Sequence, residues 1–537
     1  MTRDEIQTKV IELYVGILGR APDYAGLTYW TDSIEQGNLS LENARAAFAT
    51  KDQPEYWNIY GGLSNTALVE KVYNNFLERS PDQAGLDYWV SELDSGKIQP
   101  DFMVNAIINA VQSSQTNSDQ TLTDAQVLTN KVSASRYFVE QTQNFDVSNT
   151  AFSSAAKKAV SVITSDVNSV NSANDVTNLL VGSPAEGITL ALGAEDTNLN
   201  KLDGTRGSDT LTVTGGNDWY WFNPGGGNDV ITGVDGSTLS YSDLPWGVTV
   251  DLSAGTTRGH NKSDTFTGIE SVVGTDFNDT IRGGHSSSDD YESFTGRAGN
   301  DHMDGGSGWD VLSYHQEDGG SGIAVNFQAG QATDTYGDKD TFAAMEVVSA
   351  TAYADSLVGT DVADGYVQFR GLAGNDTLQG GQGYEVADYR RDYRYENKDG
   401  VKGENGINAN LAAGTITDGY GDTDTVSMID EIRATPYNDT LVGSDASYKE
   451  EFRGEAGNDT MTGGGGVDYF NFGSGDGQDV ITDFTVGVDK LEFRTIKSVA
   501  DVVITPGDNQ TVVTYGNGGQ ITLNGVQGLT DSDFVFV

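Results

Sequence analysis

The sequence predicts a multidomain chain in which an all-α N-terminal domain precedes an all-β body wound as a parallel β-roll or β-solenoid. Three observations predict it. Up to about residue 185 apolar residues recur at helical spacing and Gly is sparse. Farther on, Gly- and Asp-rich nonapeptides come in pairs: GRAGNDHMDGGSGWDVLS from Gly296, GLAGNDTLQGGQGYEVAD from Gly371 and GEAGNDTMTGGGGVDYFN from Gly454. A larger unit recurs around the pairs, as expected of a body stacked from similar blocks.

The helical part, residues 1–185, contains a duplication. LYVGILGRAPDYAGLTYW from Leu13 matches VYNNFLERSPDQAGLDYW from Val72, with Arg20 facing Arg79, Gly26 facing Gly85 and Trp30 facing Trp89. In each copy a helix is expected to end near the Arg, a turn to open at the Pro, and a second helix to follow. Segments 122–142 and 150–185 read as further helices. The aromatic residues Tyr14, Tyr29, Trp30, Tyr73, Tyr88 and Trp89 suit either a sugar-binding platform or helix-packing core, with core favoured for the two Trp. The duplicated pair resembles the DUF4214 family, helical modules found beside calcium-binding repeats in bacterial surface proteins.

Residues 186–203 read as a linker with a first strand, and residues 204–483 as the body. In each nonapeptide the Gly-rich half turns, and the half after the acid alternates polar and apolar residues as a strand does. Met303, Leu312, Leu378, Met461 and Phe470 are then expected to stack between coils. The acids Asp301 and Asp310, and likewise Asp459 and Asp468, fall on opposite edges of one coil; in the middle copy Asp376 is followed by Glu385 where Asp is expected. Carboxylates and free turn carbonyls suit calcium, which takes six to eight oxygens. Looser matches at GTRGSDTLT, around Asp218, at PGGGNDVIT and at GDGQDVITDF add Asp209, Asp218, Asp229, Asp476 and Asp479 as candidate ligands. The nonapeptide resembles G-G-x-G-x-D-x-U-x of the RTX repeats, which implies multiple Ca2+ ions.

Ahead of the three pairs come GVTVDLSAG, GIAVNFQAG and GINANLAAG, each strand-like. The loops ATDTYGDKDT and ITDGYGDTDT carry clustered acids and are expected to add calcium sites. Residues 484–537 read as a β cap, with VDKLEF and QITLNGV as strands. The acidic-then-aromatic end, Leu529 to Val537, resembles the C-terminal signal of type I secretion.

The formal net charge is −48, and without counterions such a chain repels itself. That charge argues against nucleic acid and against adsorption to an anionic bilayer. There is no Cys, which excludes disulfides and thiolate metal sites. The opening MTRDEIQTKVIELYVG is too polar for a Sec signal, and no apolar run is long enough to insert in a membrane. No H-E-x-x-H or G-x-S-x-G motif occurs, and the His residues are His260, His285, His302 and His315, so an enzyme is not expected. His302 and His315 are expected at the surface.

The layout resembles RTX surface-layer proteins of Gram-negative bacteria. The resemblance implies a secreted, calcium-binding structural protein that self-assembles outside the cell. Its helical domain would be the anchor to lipopolysaccharide or another surface polysaccharide, and type I secretion machinery its export partner. A monomeric adhesin or polysaccharide-binding protein is the alternative, and a secreted enzyme comes after it.

Overall fold

The computed structural model describes residues 1–48, 54–99, 102–104, 106–107, 119–143, 150–166, 169–180, 188–192, 200–215, 219–260, 262–284 and 291–537. Helices come first: Arg3–Leu13, Tyr24–Glu35, Leu41–Phe48, Pro54–Tyr60, Asn65–Leu77, Gln83–Asp94, Asp119–Thr142, Thr150–Ser161 and Ser169–Leu180. The duplication is visible in the caps. Asp23 and Asp82 each accept the amide of the Gly three residues on, Gly26 and Gly85, both at 2.7 Å. Such a carboxylate satisfies one of the free amides of a first turn and is worth about 1 kcal/mol. Each duplicated Arg reaches an acid on another helix, Arg20 to Glu55 and Arg79 to Asp124. The two copies meet where the π-helical turn Tyr14–Leu18 lays Gly16 against the buried Phe76 ring. A Cβ there would lie 1.4 Å from a ring carbon, so only Gly fits.

Among the described residues the rest is β-structure in two sheets, one of 22 strands and one of 14. All pairings in the smaller sheet are parallel, from Lys201–Thr205 to Phe534–Phe536. Its inward residues stack in register: Phe294, Leu312, Val348 and Phe369 lie side by side, as do Phe452, Phe470 and Leu491. The larger sheet stacks Ile281, Met303 and Phe342, then Leu357, Leu378 and Val426, then Leu441 and Met461. Every one of these side chains is buried, and each contributes about 1.5–3 kcal/mol.

The larger sheet departs from a plain parallel coil. GVTVDLSAG, GIAVNFQAG and GINANLAAG each open an antiparallel hairpin inserted between parallel neighbours. Asp251, Asn326 and Asn410 end the first strand, and each side chain accepts the amide three residues on, from Ala254, Ala329 and Ala413. Gly255, Gly330 and Gly414 then turn the chain at φ 61°, 61° and 70°. An Asx turn followed by a left-handed Gly reverses direction, where the repeat turns carry the chain across to the opposite sheet. Strands expected in the cap are present at Lys490–Phe493 and Gly519–Asn524.

Helices and body touch at the first hairpin block. Lys158 bonds Asp276, which Arg297 also engages, and the His260 ring lies 3.1 Å from the Leu180 carbonyl oxygen. Among the described residues no helix is long and apolar enough to cross a membrane.

Candidate metal centre

Along one edge of the body the aspartates form runs of three. The backbone amide of each Asp donates to Oδ1 of the Asp on the next coil. The runs are Asp209–Asp229–Asp264, Asp279–Asp301–Asp340, Asp355–Asp376–Asp424 and Asp439–Asp459–Asp479, with N···O distances of 2.7–3.0 Å. Each position has its own environment.

The first acid of a run is fully engaged. Thr205, Thr275, Thr351 and Thr435 each donate their own amide and hydroxyl to the Asp four residues on. A hairpin or lead-in strand adds another amide, from Ile188, Val248, Ile323 or Ile407. The third acid takes a tyrosine hydroxyl in the first three runs: Tyr241 to Asp264, Tyr314 to Asp340 and Tyr389 to Asp424.

The second acid is different. Oδ2 of Asp301, Asp376 and Asp459 is buried without any hydrogen-bond partner. Burial, and then the charge of neighbouring acids, pushes these carboxyls up to about 10, 11 and 9. Four residues ahead of each stands a residue in the left-handed region, Arg297 at φ 71°, Leu372 at 65° and Glu455 at 60°. A bulky side chain is strained there by roughly 1–3 kcal/mol, and such strain concentrates at ligand sites.

The opposite edge carries the second acid of each nonapeptide pair. The amides of Asp310, Glu385 and Asp468 donate to Glu346, Asp430 and Asp489. Both carboxylate oxygens of Asp310, Oε2 of Glu385 and Oδ1 of Asp468 are buried and unpartnered. The longer Glu385 side chain reaches the Thr360 amide with Oε1 and still leaves the other oxygen free. Burial raises all three carboxyls, Asp310 and Asp468 to about 7.

All six acids of the three nonapeptide pairs thus hold a buried oxygen that no donor satisfies, which is the environment a cation compensates. Among the described residues no three acidic or histidine side chains converge on one point. A calcium ion would therefore draw much of its shell from turn carbonyls, as its oxygen preference allows. The looser candidates are placed unevenly. Asp209 is saturated by Thr205 and Ile188, and Asp229 bonds Lys262. Asp476 accepts the Gly473 amide and engages Arg494, and Asp479 closes the fourth run. Asp218 lies outside the described residues, as does His285.

Sequence reasoning did not single out Asp279, Asp355 and Asp439, although F-N-D, Y-A-D and Y-N-D carry the same acid-before-strand signal as the nonapeptides. Asp264 had no Gly beside it to mark it. The acidic loops hold their own unpartnered oxygens, Oδ2 of Asp334 and Asp418. His302 is exposed, whereas His315 is half-buried against Tyr395. Of the duplicated aromatics, Trp30 and Trp89 pack on the core while Tyr29 and Tyr88 are 62% and 57% exposed.

Comparison with known proteins agrees with these repeats. The family described as RTX calcium-binding nonapeptide repeat (4 copies) matches residues 200–225, 264–287, 292–316, 368–384 and 446–479. The domain of unknown function DUF4214 matches residues 47–115. No curated protein matches. Among solved structures, the extracellular lipase LipA from Serratia marcescens aligns at 18% identity over 50% of this chain. The chain spans 40% of that lipase, and the TM-score of 0.16 is too low to carry an argument. The chain therefore carries RTX calcium-binding nonapeptide repeats, which bind Ca2+ at multiple sites, together with a DUF4214 domain.

Proposed function

We propose that this is a secreted structural protein of a Gram-negative bacterium that folds on calcium and self-assembles outside the cell, anchored through its helical part. The observation that carries the reading is the set of buried, donor-less oxygens on Asp301, Asp310, Asp376, Glu385, Asp459 and Asp468. These six acids, with Asp476 and Asp479 in supporting places, are the proposed calcium ligands. Bound calcium supplies positive charge to a chain of net charge −48. Extracellular calcium modules bind at roughly 10⁻⁴–10⁻³ M, so the body stays open where calcium is scarce and closes after export by the type I route. Residues 1–185 are the proposed anchor to lipopolysaccharide or another surface polysaccharide, 204–483 the calcium-dependent body and 484–537 the cap with the export signal. The role is not enzymatic.

Assembly is supported by the ends of the larger sheet. Among the described strands, Val502–Pro506 pairs on one side only, with Val503 63% and Ile504 38% exposed. At the other end Thr189–Leu192 likewise has one partner strand. An open apolar strand edge is a template for a second chain. The exposed Tyr29 and Tyr88 favour a second reading, a monomeric adhesin that binds polysaccharide.

Calcium added to the purified full chain, followed by sedimentation and negative-stain imaging, separates the two. Ordered sheets or filaments are expected. Folded protein that stays monomeric at millimolar calcium rejects assembly, and protein indifferent to calcium rejects the whole reading.

A further inference from the structure

The first run of aspartates holds a cation of its own. Lys262, whose side chain is fully buried, places Nζ 2.9 Å from Oδ2 of Asp229 and 2.9 Å from Oδ2 of Asp264. The same Nζ lies 2.7 Å from the Gly225 carbonyl oxygen and 5.3 Å from the Tyr241 ring centre.

The other runs give this arrangement its meaning. Asp229 corresponds to Asp301 and Asp376 in the ladder, and Asp264 to Asp340 and Asp424. Gly225, at φ 73°, corresponds to the left-handed Arg297 and Leu372. The position of Lys262, two before the third acid, is Asp338 in the second run and Asp422 in the third. Oδ2 of Asp301 and of Asp376 has no partner, whereas the same oxygen of Asp229 has the ammonium.

We infer that Lys262 is a tethered replacement for a calcium ion, so that the first run closes without metal while the other three depend on it. The inference rests on the calcium reading of those three runs. A lysine ammonium offers three donors, and here it meets two carboxylates and one carbonyl. A charge covalently bound to the chain needs no ion from solution and is present at any calcium concentration. The helices also reach the first run, where the His260 ring, two residues before Lys262, lies against the Leu180 carbonyl oxygen. The helical part and the first run therefore form a calcium-independent body on which the metal-dependent runs build.

Hydrogen exchange of the full chain in chelator tests this. In the native sequence, strands Thr210–Val213 and Val230–Thr232 are expected to exchange slower by about tenfold or more than Thr377–Gln379 and Thr460–Thr462. Lys262→Met is expected to abolish that difference. Lys262→Asp, which restores the charge pattern of the second and third runs, is expected to lose protection in chelator, regain it with calcium, and bind one more ion by equilibrium dialysis. Equal, fast exchange of all four runs in chelator overturns the inference and leaves the calcium reading standing, as does Lys262→Met that keeps its protection. Slow exchange of all four runs in chelator overturns both.

Discussion

Acid should do what calcium does. Asp459 is 1% exposed, its Oδ2 has no donor, and burial lifts its carboxyl from the ordinary 3.8 to about 9. A group whose value is raised by folding stabilises the fold fully below its unfolded value and loses that contribution as pH rises toward the folded one. Between 3.8 and pH 7 lie about three decades at about 1.4 kcal/mol each, so without calcium Asp459 must take up a proton to fold at neutral pH, at a cost of about 4 kcal/mol. Asp310 and Asp468, each raised to about 7, carry a similar cost. Two or three such acids match the entire stability of a typical domain, about 5–15 kcal/mol. In chelator, then, the metal-dependent runs should fold near pH 4 and open as pH climbs through 7 toward 9. Far-UV circular dichroism and hydrogen exchange across that range read the transition. The acid side has its own limit, because Asp388, which burial alone would raise, is held at about 2 by Arg390, Arg370 and Arg433 and loses those pairs only at still lower pH. With saturating calcium the neutral-pH transition should vanish and protons should be released on binding. A chelated body equally folded at pH 4 and pH 8 would refute the reasoning, since the buried acids would then not be charged against the fold.

Two further outcomes follow from the same geometry. Asp459→Asn together with Asp468→Asn keeps the side-chain size but removes two anionic oxygens, and calorimetry should find calcium affinity at that coil weakened by about tenfold or more, roughly 1.4 kcal/mol. Gly477→Ala places a Cβ 1.6 Å from the Gly457 carbonyl oxygen at φ 108°, and a thermal melt in saturating calcium should show a loss of about 3 kcal/mol.

The repeat chemistry was legible because it is local. An acid after a Gly-rich turn and before an apolar residue forecasts both the edge that Asp301, Asp376 and Asp459 occupy and the inward stacking of Met303, Leu378 and Met461. What the acids do with their oxygens was not legible. Asp209 and Asp301 read alike in sequence, yet Thr205 engages both oxygens of one while Oδ2 of the other has no donor. The hairpins were hidden for a related reason: alternation such as GVTVD has the same period in a parallel or an antiparallel strand, and only the Asx turn at Asp251 decides direction. Lys262 carried no signal of its own, because its meaning lies in Asp229 and Gly225, distant in sequence.

The inserted hairpins act as punctuation. Because the third acid of each of the first three runs sits on a hairpin strand, the aspartate ladder is broken into short phrases and does not form one continuous spine. Within a phrase each rung leans on the next; between phrases the link passes through the plain amide of Val248, Ile323 or Ile407. A mutation or a lost ion should therefore blunt one phrase and spare its neighbours, as in other stacks whose repeats touch only adjacent repeats. A protein built this way fails in instalments, and a surface made from it would loosen segment by segment before it came apart.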